Sequence, residues 1–559
     1  MPLIGGIMAD KYGFGKMVTI GITVMFLGYI LLSVPLGGDT IAMVAMLAAL
    51  LLISLGTGLF KGNLQVMVGN LYDDPKYADK RDSAFSLFYM AINIGALFAP
   101  TAAVGIKEWA ETSLGVTGND AYHFSFAVAC VALIASMFIY FAFRKTFKHV
   151  EGGERQKGQV AVEDNLTPEE TKSRVTALIL VFAVVIFFWM AFHQNGLTLT
   201  YFADEFTETK AFGATTMLFD VWNLALIIGA VYATFAVFQS EKAKGKLTAG
   251  AIATAILVFL AYRVSNSANA ECAVNAPIFQ QFNPFYVVAL TPVSMAIFGA
   301  LANKGKEPSA PRKIAYGMLV AAIGFGIMAY GSKDLNTPNE QATAIAISKG
   351  ESMAQEYLAA QNDSTLLAKV EKSKTDFEGK LNDDNKAIFN KVYDLSLVAF
   401  AAETVATETV ADVEATEAEV APEETTTEPV AETTEPAAEP MTKEGALEAI
   451  AAIQADHKPE TRTSSYWLIF TYLILTFAEL LLSPMGISFV SKVAPPKLKG
   501  MMMGGWFVAT AIGNMLVAVG GFLWAGLPLW SVWAVFVVLC LLSALFMFAM
   551  MKRLESVTK

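Results

Sequence analysis

Long apolar runs separated by short polar breaks dominate the chain. Twelve of them stand out, near 17–35, 41–64, 84–105, 122–143, 175–202, 217–238, 247–263, 284–302, 314–332, 465–489, 501–526 and 529–551. Each is close to or above the roughly 18 residues a helix needs to cross a hydrocarbon layer of ~30 Å. The apolar period within them is weak, as in helices that meet lipid on one side and protein on the other. The alternation of a membrane β-barrel, in segments of about ten residues, is absent. The pattern predicts an all-α polytopic membrane protein.

The polar breaks give the orientation. If the spans alternate, one side collects Lys11 and Lys16, then Lys76, Lys80 and Arg81, then the linker 144–174. The same side collects Lys242, Lys244 and Lys246, then Lys304, Lys306, Arg312 and Lys313, then Lys492, Lys497 and Lys499. An excess of Lys and Arg marks cytoplasmic loops, so this side is read as cytoplasmic, with the lipid bilayer as the surrounding partner.

Composition agrees with the pattern. Hydrophobic residues make up 55% and charged residues 16%, against about 25% charged in a soluble domain. The net charge of −11 is local: residues 333–463 hold 27 acids and 11 bases, which leaves the rest slightly basic. No basic stripe predicts a nucleic-acid partner. Cys130, Cys272 and Cys540 are scattered and the four histidines lack ligand spacing, so neither a disulfide framework nor a metal site is expected. No phosphate loop or nucleophile elbow is present, so neither an enzyme nor an ATP-driven pump is expected, and no cofactor.

Two charges interrupt apolar runs. Lys61 lies in Gly56-Thr57-Gly58-Leu59-Phe60-Lys61-Gly62-Asn63, and Glu479 in Phe477-Ala478-Glu479-Leu480-Leu481-Leu482-Ser483-Pro484. A charge at membrane depth is costly and usually faces a watery path or a partner. One cation in the first half and one anion in the second predict a cavity between two helical bundles, suited to a zwitterion. The plainer readings are a Lys61 that reaches to the interface and a Glu479 paired structurally.

The short start Met1–Ala9 cannot span a bilayer and reads as the inner end of a helix whose outer part is missing. Gly6, Asp10, Gly13 and Lys16 follow the spacing Gly-x-x-x-Asp-x-x-Gly-x-x-Lys. This resembles the cytoplasmic loop motif joining the second and third helices of the major facilitator superfamily. Further motifs resemble one of its branches, the proton-dependent oligopeptide transporter (POT/PTR) family, in the right order. They are the Lys61 segment, Arg81 to Pro100, Phe188-Trp189-Met190-Ala191-Phe192-His193-Gln194-Asn195-Gly196, Asn283-Pro284-Phe285 with Pro292, Glu479 to Gly486, and Met502 to Thr510.

The resemblance implies a major facilitator fold of two helical bundles, here with the first helix and most of the second missing and one extra hairpin. It divides the chain into a partial bundle 1–143, a cytoplasmic linker 144–174, a second bundle starting at 175–332 with an inserted hairpin 217–263, an extracytoplasmic loop 333–463, and the last three helices in 464–559. It implies symport of protons with di- and tripeptides across a bacterial cytoplasmic membrane, by a monomer driven by the proton gradient. Lys61 would meet the peptide carboxylate and Glu479 its ammonium, helped by Asn283 and Ser483. Tyr89, Asn93 and Gln194 would hydrogen-bond the peptide, and Trp506 and Phe507 would line side-chain pockets. Asn93 alternatively bonds a neighbouring helix, and the two aromatics alternatively pack.

Two departures stand out. The Glu-x-x-Glu-Arg run of the family's first helix is absent. His193 occupies a position where relatives carry an acid; it titrates near neutrality and, with Lys61 and Glu479, is a candidate for proton coupling, or else a hydrogen-bonding residue between helices. The hairpin is expected to be a peripheral scaffold with Asp220 exposed at its outer end. Residues 340–400 are expected to form short helices, and 401–440, without Lys, Arg or aromatics, a disordered stalk. The rival functions are symport of nitrate or another anion on the same scaffold, and a non-transporting receptor or scaffold.

Overall fold

The computed structural model describes residues 1–36, 40–74, 76–77, 80–116, 120–152, 166–408 and 441–557. They separate into two compact units, 1–333 with 463–559, and 334–462.

The larger unit is a stack of apolar helices, and among the described residues twelve segments are long and apolar enough to cross a membrane. Its first half holds α1 (Pro2–Tyr12), α2 (Phe14–Ser33), α3 (Thr40–Asn70), α4 (Arg81–Leu114), α5 (Ala121–Ala142) and the short α6 (Arg144–Phe147). After the linker come α7 (Pro168–Phe192), α8 (Thr198–Glu205), α9 (Val221–Gln239), α10 (Ala243–Ser265), α11 (Phe282–Asn303) and α12 (Ala310–Gly331). The second unit holds α13 (Pro338–Ala360), α14 (Ser364–Glu378), α15 (Asp383–Glu408) and α16 (Lys443–Asp456). The chain then completes the larger unit with α17 (Tyr466–Val493), α18 (Lys499–Leu516), α19 (Ala518–Gly526), α20 (Leu529–Ala549) and α21 (Met551–Ser556).

Within the first half α2 packs on α3 and α5, and within the second α12 packs on α17 and α20. Between halves, α1 packs on α18, and α4 on α11 and α17. Glycine permits the closest of these crossings. A Cβ on Gly6 would sit 2.1 Å from the Gly500 carbonyl oxygen, so α1 and α18 touch backbone to backbone.

The Lys/Arg-rich side ties the halves together. Asp10 accepts from the amides of Gly500 and Met501, both at 2.8 Å, two N-terminal donors of α18 that its own helix leaves unpaired. Lys499 bridges to Asp73 at 2.7 Å and Ser488 donates to Asp82. Of the loop-motif residues, Asp10 makes the tie, Gly13 turns the chain with φ 103°, and Lys16 is exposed.

The extra hairpin is not peripheral in the expected sense. A two-stranded ribbon, β1 (Lys210–Phe212) paired with β2 (Glu271–Ala273), closes its base. Its first helix, α9, packs against both α4 and α11. Asp220 is half-buried rather than free: it caps α9 through the Trp222 amide and pairs with Arg263 at 3.2 Å.

The second unit also departs from the expectation of short helices. Its helices run to 26 residues in α15 and enclose cores of their own. Ala346, Met353, Ala354, Phe389 and Tyr393 form one, and Leu395, Ala399, Ala446 and Ile450 another. The reason is spacing. Phe389, Tyr393 and the pair Ser396 and Leu397 recur at intervals of three and four, so an acidic, alanine-rich stretch still presents one continuous face. Gln341 closes the unit, donating to the Thr461 carbonyl at 2.9 Å and accepting from the Thr461 amide at 3.0 Å. Residues 401–408, expected as stalk, continue α15; 409–440 lie outside the described residues.

Candidate functional site

Glu479 sits in the middle of α17 and is 3% exposed. A carboxylate that deep needs donors to offset its lost hydration. Tyr89 of α4 donates to one oxygen, and Asn283 of α11 donates to the other at 2.6 Å. Asn283 also donates to Thr476 Oγ1 at 3.0 Å, one turn before Glu479. The donors come from different halves, so the carboxylate is a junction between them. Asn93, one turn beyond Tyr89, donates to the Tyr89 carbonyl at 2.9 Å and is buried, 6% exposed. Ser483, one turn beyond Glu479, is 1% exposed and its hydroxyl lies beside that of Tyr89.

Lys61 is placed differently. It is exposed and in no ion pair among the described residues. Its ammonium stands 5.3 Å from the centre of the Phe507 ring and acts electrostatically on His193. A cation over an aromatic face gains about 0.5–2 kcal/mol, less than a buried carboxylate partner would give. Its neighbours Phe507 and His193 belong to the second half, so Lys61 faces the junction and not only lipid. His193 stacks on Trp189 with ring centres 5.0 Å apart and meets Phe192 edge-on. The Trp189 indole N–H is buried and has no hydrogen-bond partner among the described residues.

Two residues have tasks inside the protein. Gln194 is wholly buried. It donates to the Met190 and Val517 carbonyls, each at 3.1 Å, and accepts from Thr198 at 2.9 Å, so its carboxamide is spent tying the end of α7 to the break between α18 and α19. Trp506, 2% exposed, packs on Phe182 and against Gly486, where a Cβ would lie 2.0 Å from the indole.

Sequence reasoning passed over several buried polar groups on these segments. Thr476 accepts from Asn283, Thr471 lies on α17 before Glu479, Trp189 is near the end of α7 and Gln281 just before α11, and Trp189, Thr471 and Gln281 each have one buried polar atom unpartnered among the described residues. Polar residues a turn or two from Glu479, Asn283 and His193 were the available signal. Among the described residues no cluster of His, Cys, Asp and Glu could hold a metal.

Similarity to known proteins follows the same lines. The sequence pattern of the POT family matches residues 15–163, 247–347 and 445–521. An uncharacterized transporter, YclF, of Bacillus subtilis is 30% identical over 352 residues, 59% of this chain and 61% of that protein. Dipeptide and tripeptide permease B of Salmonella typhimurium is 27% identical over 352 residues, with the same coverage. The chain thus spans about three-fifths of the length of these curated relatives. A solved POT family transporter in complex with thioalcohol conjugated peptide is 15% identical, with TM-score 0.52, covering 100% of this chain and 85% of that one; this likeness shows the fold, two helical bundles of the major facilitator type. With the family pattern matched over more than half of its residues, the chain, a multi-pass membrane protein, belongs to the POT family.

Proposed function

We propose that the protein carries di- and tripeptides together with protons into the cytoplasm, across a bacterial cytoplasmic membrane, by alternating access. The observation that carries this reading is Glu479, a buried carboxylate shared by Tyr89 of one half and Asn283 of the other. A carboxylate in that position suits both a peptide ammonium and a proton. A ligand ammonium bound there adds a charge-assisted hydrogen bond and loosens the hold on Tyr89 or Asn283. That couples occupancy to the contact between halves. Lys61, exposed and in no ion pair among the described residues, suits the peptide carboxylate, and Phe507 beside it suits an apolar side chain. Fixed charges at the ends with adaptable surface between them permit varied side chains. The proton gradient supplies the energy, no cofactor takes part, and the working unit is a monomer. Salmonella permease B, a relative by sequence, is named for dipeptides and tripeptides, which favours the same ligand class.

Liposomes containing the purified protein test this. Dialanine added outside, with the interior alkaline, should drive proton entry. N-acetylated or C-amidated dialanine should be at least tenfold weaker, and nitrate should not compete. Nitrate-driven proton entry without a peptide response would favour the anion carrier. No solute-driven flux at all would favour a receptor or scaffold.

A further inference from the structure

The hairpin reaches the site through one side chain. Tyr232 lies in α9, eleven residues after its first residue, Val221. Its hydroxyl donates to the Val288 carbonyl in α11 at 3.1 Å and touches the Met90 sulfur in α4. The Val288 carbonyl is an unusual acceptor. In an unbroken helix it would accept from the amide four residues on, but that residue is Pro292, inside α11, which has no amide hydrogen. Tyr232 supplies the donor that the proline removes.

The two helices Tyr232 touches carry the two side chains that hold Glu479. Met90 adjoins Tyr89, and Val288 lies five residues beyond Asn283. The hairpin itself is anchored at its outer end by the β1–β2 ribbon and by Arg263, which reaches Asp220 and the Asn223 side-chain oxygen at 2.5 Å. A second contact with α4 lies nearer that end, where Trp222 meets Phe98 with ring centres 6.0 Å apart. Phe98 and Met90 are eight residues apart, about 12 Å along a helix. The hairpin's first helix therefore lies against both halves, pinned at its start and bonded past its middle.

We infer that Tyr232 is a positioning residue. By completing the proline-broken turn of α11 while resting on α4, it holds Asn283 and Tyr89 in register around Glu479. The inserted hairpin is thus a brace for the site. This deepens the proposed function and rests on it for its transport readout, but the structural readout below stands without it.

The test is a cycle of Tyr232→Phe and Pro292→Ala in the full chain. Y232F removes one hydroxyl and keeps the ring, so folding should survive. Amide hydrogen exchange in the α11 turn around 288–296 should quicken about fivefold, as expected for one lost hydrogen bond, while α12 stays unchanged. P292A restores an amide able to reach the Val288 carbonyl, so in that background Y232F should have no effect on α11 exchange. In transport, Y232F should lower kcat for dialanine about fivefold and leave KM within twofold. Tyr262→Phe, on the exposed side of α10, should change neither readout. Unchanged α11 exchange in Y232F, or equal effects of Y232F with and without Pro292, would overturn the inference. If the wild-type protein moves no peptide, the proposed function fails, and the exchange cycle still decides the role of Tyr232.

Discussion

Glu479 and Lys61 are the two intramembrane charges that stand out in the sequence, yet the fold treats them as opposites. Glu479 is enclosed, and donors from two other helices meet its oxygens. Lys61 is exposed, with an aromatic ring as its nearest named company. The anion belongs to the architecture and the cation does not. A prebuilt shell lets Glu479 hold the halves together without ligand, whereas Lys61 gains a counter-charge only from something that arrives. In the proposed function, the first is the coupling point and the second the capture point.

The strongest way to break that comparison is to remove each charge. Glu479→Ala leaves Tyr89 and Asn283 as buried donors without their acceptor. At about 1–3 kcal/mol for each unsatisfied group, it should cost roughly 3 kcal/mol of stability, read as a lower Tm in detergent, and abolish uptake. Lys61→Ala should leave Tm nearly unchanged, within about 0.5 kcal/mol, and raise KM for dialanine at least tenfold. Equal Tm losses in the two variants would show that Lys61 has a structural partner after all.

A smaller effect is expected at His193, which lies between the poles. The groups facing it are Trp189 and Phe192 on its own element and the Lys61 charge from α3. His193→Gln should keep dialanine uptake but change its dependence on pH, read by assaying uptake from about pH 5 to 8. An unchanged profile would remove His193 from the coupling.

The smallest effect sharpens the contrast from the second unit. Glu340 in the second unit is a carboxylate with partners but in water: Lys458 lies 2.7 Å away, and the Thr337 amide donates at 3.0 Å. The Lys458 ammonium, then the Thr337 amide, hold its carboxyl below the usual carboxylate range. A depressed folded value means that its stabilisation is present above the unfolded pKa and is lost as pH falls through the folded one. Amides at the start of α13 should therefore exchange faster as pH drops below about 4, after correction for intrinsic rates. Lys458→Ala should flatten that pH dependence, with a small loss of protection above this range and none once Glu340 is protonated.

Much of this was legible in the chain, and particular residues show where legibility stopped. The helices, their orientation and the family followed from apolar length and from motifs that include both charges. Gln194 and Trp506, also within those motifs, are committed to internal contacts, because what they touch, the Val517 carbonyl and Gly486, lies elsewhere in the sequence. The acidic composition of 333–463 hid a packed helical unit, since average polarity outweighs a narrow apolar face. The hairpin looked peripheral because nothing in its own residues names α4 and α11 as neighbours.

Sequence alone determined that the chain lies in a membrane, which side is basic and which charges were worth explaining, because the cost of polar groups in hydrocarbon acts on each segment separately. Only the tertiary structure decided which charge is enclosed, which donors meet it and which hydroxyl replaces the amide that Pro292 lacks. Those depend on segments hundreds of residues apart meeting within hydrogen-bond distance, and no local pattern encodes that meeting.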